Sequence, residues 1–336
     1  MEFTTGGRLE VRITPDDVGK RVSVRQFTEG AQEGEKFTDT VGVLTSWNDG
    51  VLSITRRSGE SAQVPESSLV AGKVVPAAPA RRRGPSAGFA ELARVTARAW
   101  QPVESERLGE WELRAAAGFT RRANSVLPLG DPGRPLGEAL GCVREWYEAR
   151  GLPPYIQLAT GAEGTQELLG AELTAHGWSS EVSALVRIAA LAPIGDLDAD
   201  VSRVRLSRSV DEAWLSRYKR FGTPGPEVLK VIGSGPSTWF ATVPAAVPAA
   251  EGDTPAAIGR CVVDGRWAGF MAIEVAPAAR RQGLAKAVMA ALARRALDEG
   301  ASAAWLQVED DNIGARALYD GMGFQTHHTY HHFRLL

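Results

Sequence analysis

A group of small and basic residues near the end of the chain has the types and spacing of an anion-binding turn. The turn consists of Arg280, Arg281, Gln282, Gly283, Leu284 and Ala285. It follows an apolar strand pattern, 269–275, and precedes a helical pattern that continues to Glu299. Such a turn exposes several backbone N–H groups to one anion, with the helix dipole behind them, and Gly283 and Ala285 let a phosphate approach closely. The alternative is an ordinary strand-to-helix turn with solvated arginines.

A second motif lies one helix further along the chain. Residues 305–308 form a strand pattern, and Asn312 lies at the start of a short helix that closes near Gly321. Asn312 and Tyr319 are seven residues apart, so they share a helix face at a separation of about two turns, ~10 Å. The spacing therefore predicts an amide and a phenol on the same side of one helix.

Together these motifs resemble the GNAT superfamily of acetyl-coenzyme A-dependent N-acetyltransferases. The resemblance covers 203–336 and rests on a strand ending V-x-P, followed by R-x-x-G-x-A, a helix, L-x-V, N-x6-Y and G-x-G-F. It implies that acetyl-CoA is the cosubstrate, that no metal takes part, and that acetyl passes directly to an amine in a ternary complex.

The resemblance also implies a role for each matching residue. The backbone of the turn would hold the cofactor pyrophosphate, and the strand 273–275, splayed from its neighbour, would lie beside the pantetheine arm. The Val275 N–H would polarise the thioester carbonyl, and Tyr319 would protonate the departing thiolate, whose pKa of ~8.5 requires only a weak acid. The implied cofactor-binding residues are Ile273, Val275, Arg280, Arg281, Gln282, Gly283, Leu284, Ala285, Lys286, Asn312 and Tyr319.

The attacking amine requires a base or a desolvating pocket, because a lysine-like amine of pKa ~10.4 is almost fully protonated at neutral pH. Glu274 is the candidate base, acting through a water, since it lies on the strand beside the reacting carbonyl. Its alternative is a solvent-facing carboxylate on an alternating strand. Some family members carry a glutamate where this chain has Gln307, which cannot act as a base. Glu309 and Asp310 are further candidates.

Residues 89–190 repeat the order of elements found at the end of the chain. In both halves a helix, a strand, a second helix and a last strand follow one another, and a glycine–aromatic pair, Gly177-Trp178 or Gly323-Phe324, begins the last strand. This indicates an internal duplication, the alternative being chance similarity between mixed α/β segments. The loop 129–135 lacks R-x-x-G-x-A and contains prolines, which remove N–H donors. The first half is therefore predicted to be a degenerate, non-catalytic lobe.

Three polar residues of the first half, Arg121, Arg122 and Asn124, are candidates for lining the acceptor pocket. They lie in an otherwise apolar stretch, of which residues 122–127 have a strand pattern. The alternative is a solvated hairpin.

The chain as a whole is predicted to be an α/β protein with a mixed sheet, in which tandem GNAT-like lobes follow a small β-barrel. Period-two alternation over 8–75 predicts about five short strands, with a turn at Asn48-Asp49-Gly50, and their pattern resembles SH3-like barrels. The strands are marked by Leu9, Val11 and Ile13, by Val22 and Val24, by Val41 and Val43, by Leu52 and Ile54, and by Val74-Val75. The predicted boundaries are 1–76 for the barrel, 77–88 for a linker, 89–190 for the degenerate lobe, 191–202 for a second linker and 203–336 for the catalytic domain.

Two classes of function remain open from the sequence. The first is an acetyltransferase whose acceptor is a small amine, an amino acid or a protein lysine, with the barrel and Arg81–Arg83 helping to dock a protein. The second is a non-catalytic acyl-CoA sensor in which the barrel binds a partner. A metal site is not predicted, because a strand sends His327 and His331 to the face opposite His328 and His332.

The composition excludes several other classes. The chain has 336 residues and a formal net charge of −2, so no basic field exists to attract nucleic acid or an anionic membrane. No apolar run approaches the ~20 residues of a membrane span, and the start of the sequence has no signal-peptide core. Cys142 and Cys261 lie in apolar patterns, which favours a reducing cytoplasm. The oligomeric state is left open, a homodimer included.

Overall fold

The computed structural model describes residues 10–27, 37–76, 84–218, 224–245 and 254–335, which form two main β-sheets flanked by helices. The strands are β1 (Arg21–Phe27), β2 (Phe37–Asn48), β3 (Val51–Thr55), β4 (Ser61–Pro65), β5 (Leu69–Val74), β6 (Glu104–Leu108), β7 (Trp111–Ala115), β8 (Tyr155–Thr160), β9 (Trp178–Ala190), β10 (Arg205–Ser207), β11 (Ser237–Val243), β12 (Ala257–Asp264), β13 (Trp267–Val275), β14 (Ala303–Glu309) and β15 (Gln325–Leu335). The α-helices are α1 (Phe89–Arg98), α2 (Leu136–Glu148), α3 (Glu167–Ala175), α4 (Ala192–Gly195), α5 (Glu212–Arg217), α6 (Pro226–Gly233), α7 (Leu284–Asp298) and α8 (Ile313–Asp320). In these ranges no helix is long and apolar enough to cross a membrane.

The first sheet contains β4, β3, β2, β1 and β5 in that order, each antiparallel to its neighbour. The predicted turn between β2 and β3 is confirmed, since Asp49 and Gly50 both have positive φ, as a two-residue hairpin turn of type I′ requires. β4 and β5 are the outer strands, and the described residues show no pairing between them. The sheet is open, so the SH3-like barrel is not confirmed.

Two strands of this sheet differ from the prediction. Val11, which was predicted to lie in a strand, makes a single bridge to Gly72. β4 was not predicted, because only Val64 is buried in it and the sequence shows no alternation there. Residues 77–83 of the predicted first linker, with Arg81–Arg83, lie outside the described residues.

The second sheet has eight strands in the order β10, β11, β12, β13, β14, β9, β15 and β8. All neighbours are antiparallel except β13 and β14, which are parallel. The two halves of the chain exchange strands in this sheet. β9 of the first half lies between β14 and β15 of the second, and β15 lies between β9 and β8 of the first.

This exchange is symmetric about the β9–β15 pair. The segment β8–α3–β9 is repeated in order by β14–α8–β15, and each last strand follows a left-handed glycine, Gly177 with φ +82° or Gly323 with φ +84°. The predicted order of elements in the two halves is therefore confirmed. Their origin by duplication stays a prediction.

The eight-stranded sheet buries a separate apolar cluster on each face. On one face, here called the α1 face, it packs against α1, α5 and α6. On the other, the α7 face, it packs against α4, α7 and α8. The second predicted linker, 191–202, begins with α4 rather than a loop, because Leu191 and Ile194 are fully buried there and Arg294 Nε donates to the Gly195 carbonyl at 2.8 Å.

The predicted strand at 122–127 is wrong. Arg121–Ala123 form a 3₁₀ turn, and Val126 and Leu127 make only isolated bridges. The apolar residues of this stretch are buried by the folding of a loop rather than by strand pairing. β6 was not predicted, because only Leu108 of its residues is buried.

Candidate active site

β13 and β14 separate at their carboxyl ends and leave a crevice between them. Their pairing ends with Phe270 opposite Leu306, although β13 continues to Val275 and β14 to Glu309. The splay predicted for β13 is therefore present. Ligands of open α/β sheets bind in crevices of this kind, beyond the carboxyl ends of parallel strands.

A bulge redirects the end of β13. Ala272 has a φ of +51°, and the register with β12 shifts beside it. Beyond the bulge, Ala276 donates its N–H to the Ala256 carbonyl on the β12 side at 2.8 Å. Successive N–H groups along a strand point to opposite sides. The Val275 N–H consequently points away from β12, toward the crevice.

α7 begins without a side-chain cap. Its N-cap is Gly283, which has a left-handed φ of +78°, and no side chain of the described residues caps the helix. The first N–H groups of a helix have no partner within it, so those of Leu284, Ala285 and Lys286 remain available as donors. The exposed residues of this turn are Arg280, Arg281, Gln282, Gly283 and Lys286.

α8 holds the second motif. Asn312 is its N-cap, and the side-chain oxygen accepts the Ala315 N–H at 3.1 Å. Tyr319 is 8% exposed and packs edge-to-face on Phe324, with ring centres 5.8 Å apart. Tyr319 belongs to the same apolar cluster as Val275, so the phenol and the end of β13 lie on the α7 face together.

Glu274 and Gln307 lie at the ends of the two separated strands, on the α1 face. Glu274 is directly opposite Ile258, which packs on that face, and opposed residues of paired strands project to the same side. Gln307 follows two residues after Trp305, another α1-face residue. The crevice thus has the predicted cofactor residues on one side and the candidate base on the other.

The other two base candidates have different surroundings. Glu309 and Asp310 are both exposed, and the Asp310 carboxylate pairs with Arg316 at 2.9 Å. Glu274 is half-buried, so its side chain is the least exposed of the three candidates.

Arg122 of the first half reaches the α1-face end of the crevice. Its Nη1 donates to Gln307 Oε1, and its guanidinium carbon lies 5.0 Å from the centre of the Trp100 ring. Arg121 instead pairs with Glu181 at 2.7 Å. The first half therefore contributes a cation to the second half's crevice.

The loop that carries Arg122 is held in a strained conformation. Ala117 and Thr120 have φ values of +48° and +58°, a region that residues other than glycine seldom adopt. Asn124 is buried and holds the loop by four hydrogen bonds of 2.8–3.0 Å to backbone groups between 116 and 120. Asn124 consequently positions the loop, and its side chain does not line a pocket.

Sequence reasoning missed Arg260, which joins the two halves below the crevice. Its side chain is 0% exposed and donates to the carbonyls of Ile232 at 2.7 Å and Ala99 at 3.0 Å. The available signal was an arginine within the apolar strand pattern 258–263.

The histidines of β15 differ in part from the prediction. A bulge between Thr326 and His328 brings the Nδ1 atoms of His327 and His328 within 2.8 Å, so these two do not face apart. His331 binds hydroxyls of β8 and β9 at 2.9 and 2.7 Å, whereas His332 lies against tyrosine rings. No three His, Cys, Asp or Glu side chains come together as a metal site in the described residues.

Known proteins are similar to this chain in sequence and in fold. A family model described as Probable histone acetyltransferase Rv0428c C-terminal matches residues 87–333. The probable histone acetyltransferase Rv0428c of Mycobacterium tuberculosis is 26% identical over 321 residues, 93% of each chain. The uncharacterized N-acetyltransferase YobR of Bacillus subtilis is 26% identical over 252 residues, 73% of this chain and 97% of that protein. A GCN5-related N-acetyltransferase from Kribbella flavida has a TM-score of 0.53 at 16% identity, over 74% of this chain and 96% of that chain.

Fold, crevice and comparisons define the class of protein: a GNAT-superfamily N-acetyltransferase. Within that class the chain belongs to the Rv0428c C-terminal family, since the family model matches most of its length.

Proposed function

We propose that the protein transfers the acetyl group of acetyl-CoA directly to an amine, with both substrates bound at the crevice between β13 and β14. The observation that carries the proposal is the uncapped, left-handed start of α7 beside a crevice of unpaired strand ends. Outward N–H groups at the positive end of a helix dipole favour a diphosphate.

The residues along the crevice fit the successive parts of acetyl-CoA. The backbone from Arg281 to Ala285 binds the pyrophosphate, and Arg280 and Lys286 add positive charge. Ile273 lies beside the pantetheine arm. Bound acetyl-CoA supplies a thioester whose carbonyl carbon is open to attack, and the Val275 N–H donates to its oxygen, where negative charge develops.

Two side chains move the protons of the transfer. The amine nitrogen bonds to the carbonyl carbon as the carbon–sulfur bond breaks, and Tyr319 gives its hydroxyl proton to the sulfur. A phenol is acid enough for this, because the thiolate has a pKa of ~8.5. Glu274 takes the proton from the amine through a water. Its place on the α1 face supports approach of the amine from that face.

The acceptor is an amine, and small amines, amino acids and protein lysines all have the required chemistry. The non-catalytic first half, the predicted domain boundaries, the oligomeric state and a cytoplasmic location remain predictions from the sequence.

An acyl-CoA sensor without turnover is the second candidate. The observation that favours it is Gln307, which lies where some family members carry a glutamate and whose side-chain oxygen is bound to Arg122, so that it cannot act as a base. Turnover separates the two candidates.

The test combines a calorimetric titration with an acetyl-transfer assay over free amino acids, polyamines and a lysine-containing peptide. We expect wild type to bind acetyl-CoA in the micromolar range. We expect Tyr319→Phe to lower kcat about 100-fold, as loss of a general acid does, while the Kd for acetyl-CoA stays unchanged.

Absence of binding at millimolar acetyl-CoA would contradict the proposal. Binding without turnover on every amine would favour the sensor. Arg107→Gln, at an exposed residue of the first half, controls for handling effects on activity.

A further inference from the structure

Four cationic or titratable side chains lie near one another beside the crevice, of which Arg114 and His332 are buried, Arg122 is half-buried and Arg121 is exposed. This group, here called the cationic cluster, consists of Arg114, Arg121, Arg122 and His332. Arg114 and His332 are connected through β8: Arg114 Nη2 donates to Gln157 at 3.0 Å, and Gln157 pairs directly with His332 across the sheet. The charges of Arg121 and Arg122 act on the His332 ring. The cluster therefore extends from the crevice mouth into the first half.

Arg114 carries a buried charge with no carboxylate beside it. It is 2% exposed, and its donors contact the Ser125 carbonyl at 2.9 Å, the Ser125 hydroxyl at 2.9 Å and the Gln157 amide at 3.0 Å. All of these acceptors are neutral, and no described carboxylate lies within ion-pair distance. Buried charges in proteins are ordinarily paired, whereas Arg114 has, among the described carboxylates, only the longer-range charge of Glu112.

His332 has two buried ring nitrogens that find no hydrogen-bond partner in the described residues. The side chain is 3% exposed and lies between the rings of Tyr155 and Tyr330, 6.2 and 5.5 Å away. Burial, together with the charges of Arg114, Arg122 and Arg121, lowers the pKa of His332 to about 3. The ring is consequently neutral and keeps one N–H donor and one acceptor unused.

The Glu181 carboxylate, beside Arg121, is shared among several partners. Glu181 pairs with Arg121 at 2.7 Å, accepts from the Tyr155 hydroxyl at 2.7 Å and lies 3.9 Å from Arg334. These partners hold the pKa of Glu181 below its usual range. Arg121 is therefore ion-paired with Glu181, whereas no described carboxylate lies within ion-pair distance of Arg114 or Arg122.

Arg122 is the member of the cluster that lies at the reaction site. Among described residues it has one hydrogen-bond partner, Gln307, the first residue of β14 beyond its pairing with β13. The rest of its guanidinium fork remains available to a planar bidentate acceptor. The strained loop around Thr120, tied to Trp100 at 2.8 Å, holds it there.

We propose that the cationic cluster binds a carboxylate of the acceptor, so that the substrate is a small amine carrying a carboxylate, such as a free amino acid. This rests on the proposed acetyltransferase function. Arg122 holds the carboxylate while the amine faces Glu274 and the thioester. A single planar anion matches the one open guanidinium fork and the neutral imidazole better than a dianionic phosphate does.

The experiment compares each of the twenty amino acids with its carboxamide, in which the amine is kept and the negative charge is removed. Acetyl transfer is measured with acetyl-CoA, and binding of the same compounds is measured by saturation-transfer NMR with coenzyme A present. Proteins are wild type, Arg122→Gln, Arg122→Lys and the matched control Arg107→Gln, which removes an exposed positive charge elsewhere in the first half.

We expect at least one amino acid to be favoured over its carboxamide by about 100-fold in kcat/KM, the discrimination typical of a charge-assisted pair. Arg122→Gln should raise KM for the acid about 50-fold, with little change in kcat and none for the carboxamide. Arg122→Lys should restore part of the loss, and Arg107→Gln should behave as wild type.

Several outcomes would overturn the inference while leaving the acetyltransferase intact. These are equal rates for acids and carboxamides, equal losses for both in Arg122→Gln, or acetylation only of aminophosphonates or of a lysine peptide. If acetyl-CoA does not bind, the proposed function fails. The NMR arm then decides the carboxylate site alone: binding of acids but not carboxamides, lost in Arg122→Gln, upholds it, and its absence refutes it.

Discussion

The turns that precede α7 and α2 occupy matching places in the two halves of the chain. They differ in whether carboxylate side chains accept hydrogen bonds from their backbone N–H groups. In the part of the chain that the structure describes, neither helix has a side-chain cap. Before α7, Gly283 lies in open space. Before α2, Asp131 donates its N–H to Glu110 Oε2 at 2.7 Å, and Gly133 donates to the Asp131 carboxylate at 2.6 Å. In the first-half turn, carboxylates of the chain itself accept the backbone N–H groups. In the second-half turn, no such carboxylate is bound to them among the described residues.

Under the proposed function, this difference predicts an anion site in the second half only. A carboxylate bonded to backbone N–H groups already satisfies the donors that a phosphate would need, and its charge repels a second anion. At Gly130 even a Cβ would lie 2.1 Å from the Glu110 carboxylate, so that side chain fills the turn. The first-half turn is therefore predicted to bind no phosphate.

The largest effect is expected from a matched pair of substitutions in these two turns. Gly283→Glu should weaken acetyl-CoA binding at least about 1000-fold, or about 4 kcal/mol, because it places an anion at the pyrophosphate site. Gly133→Glu should leave the Kd unchanged. Both glycines have similar φ, +78° and +74°, so the backbone strain is comparable. Calorimetry gives the affinities, and equal losses in the two variants would refute the comparison.

A smaller effect is expected from pH, which should change the stability of the fold. It comes from the histidines of β15, the second-half strand that pairs with β8 and β9 of the first half. Burial lowers the pKa of His328 and His332 to about 3 and that of His331 to about 4, with His327 and Arg57 also acting on His328. Unfolded histidines have pKa values near ~6.5. Below that pH the unfolded chain binds more protons, so stability falls as pH falls.

From pH 6.5 to 5.5 each of the three histidines should lower the free energy of unfolding by about 1 kcal/mol, together about 3 kcal/mol. Denaturant titrations at each pH measure this. Between pH 7.5 and 8.5 the same histidines are neutral in both states and should contribute nothing. A stability that is flat or that rises on acidification would show that β15 is not buried between the halves.

The smallest effect is expected from Glu110→Gln, which removes the carboxylate from the first-half turn. Loss of one charge-assisted hydrogen bond should lower the free energy of unfolding by about 1 kcal/mol. The prolines of 129–135 still lack donors, so acetyl-CoA should continue to bind at a single site per chain. A second binding site in the calorimetric titration would mean that Glu110 alone closes the first-half turn.

Local patterns predicted the elements best. The long amphipathic helix after Gly283, the turn at Asp49-Gly50 and the α8 segment between Asn312 and Tyr319 follow from side-chain spacing and glycine placement within a few residues. Predictions failed where burial came from distant parts of the chain. The stretch 122–127 is apolar because a loop folds under Trp100, and β4 and β6 expose most of their side chains.

The sequence by itself determined the class of the protein, because the small-residue turn before α7 and the N-x6-Y helix are each specified by neighbouring residues. The tertiary structure decided which residues meet across the halves. Arg122 and Gln307 are 185 positions apart, and the bulge that turns His327 beside His328 depends on pairing with β9. Short-range spacing encodes a helix or a turn. Which strand pairs with which depends on packing over the whole sheet, and no local pattern records it.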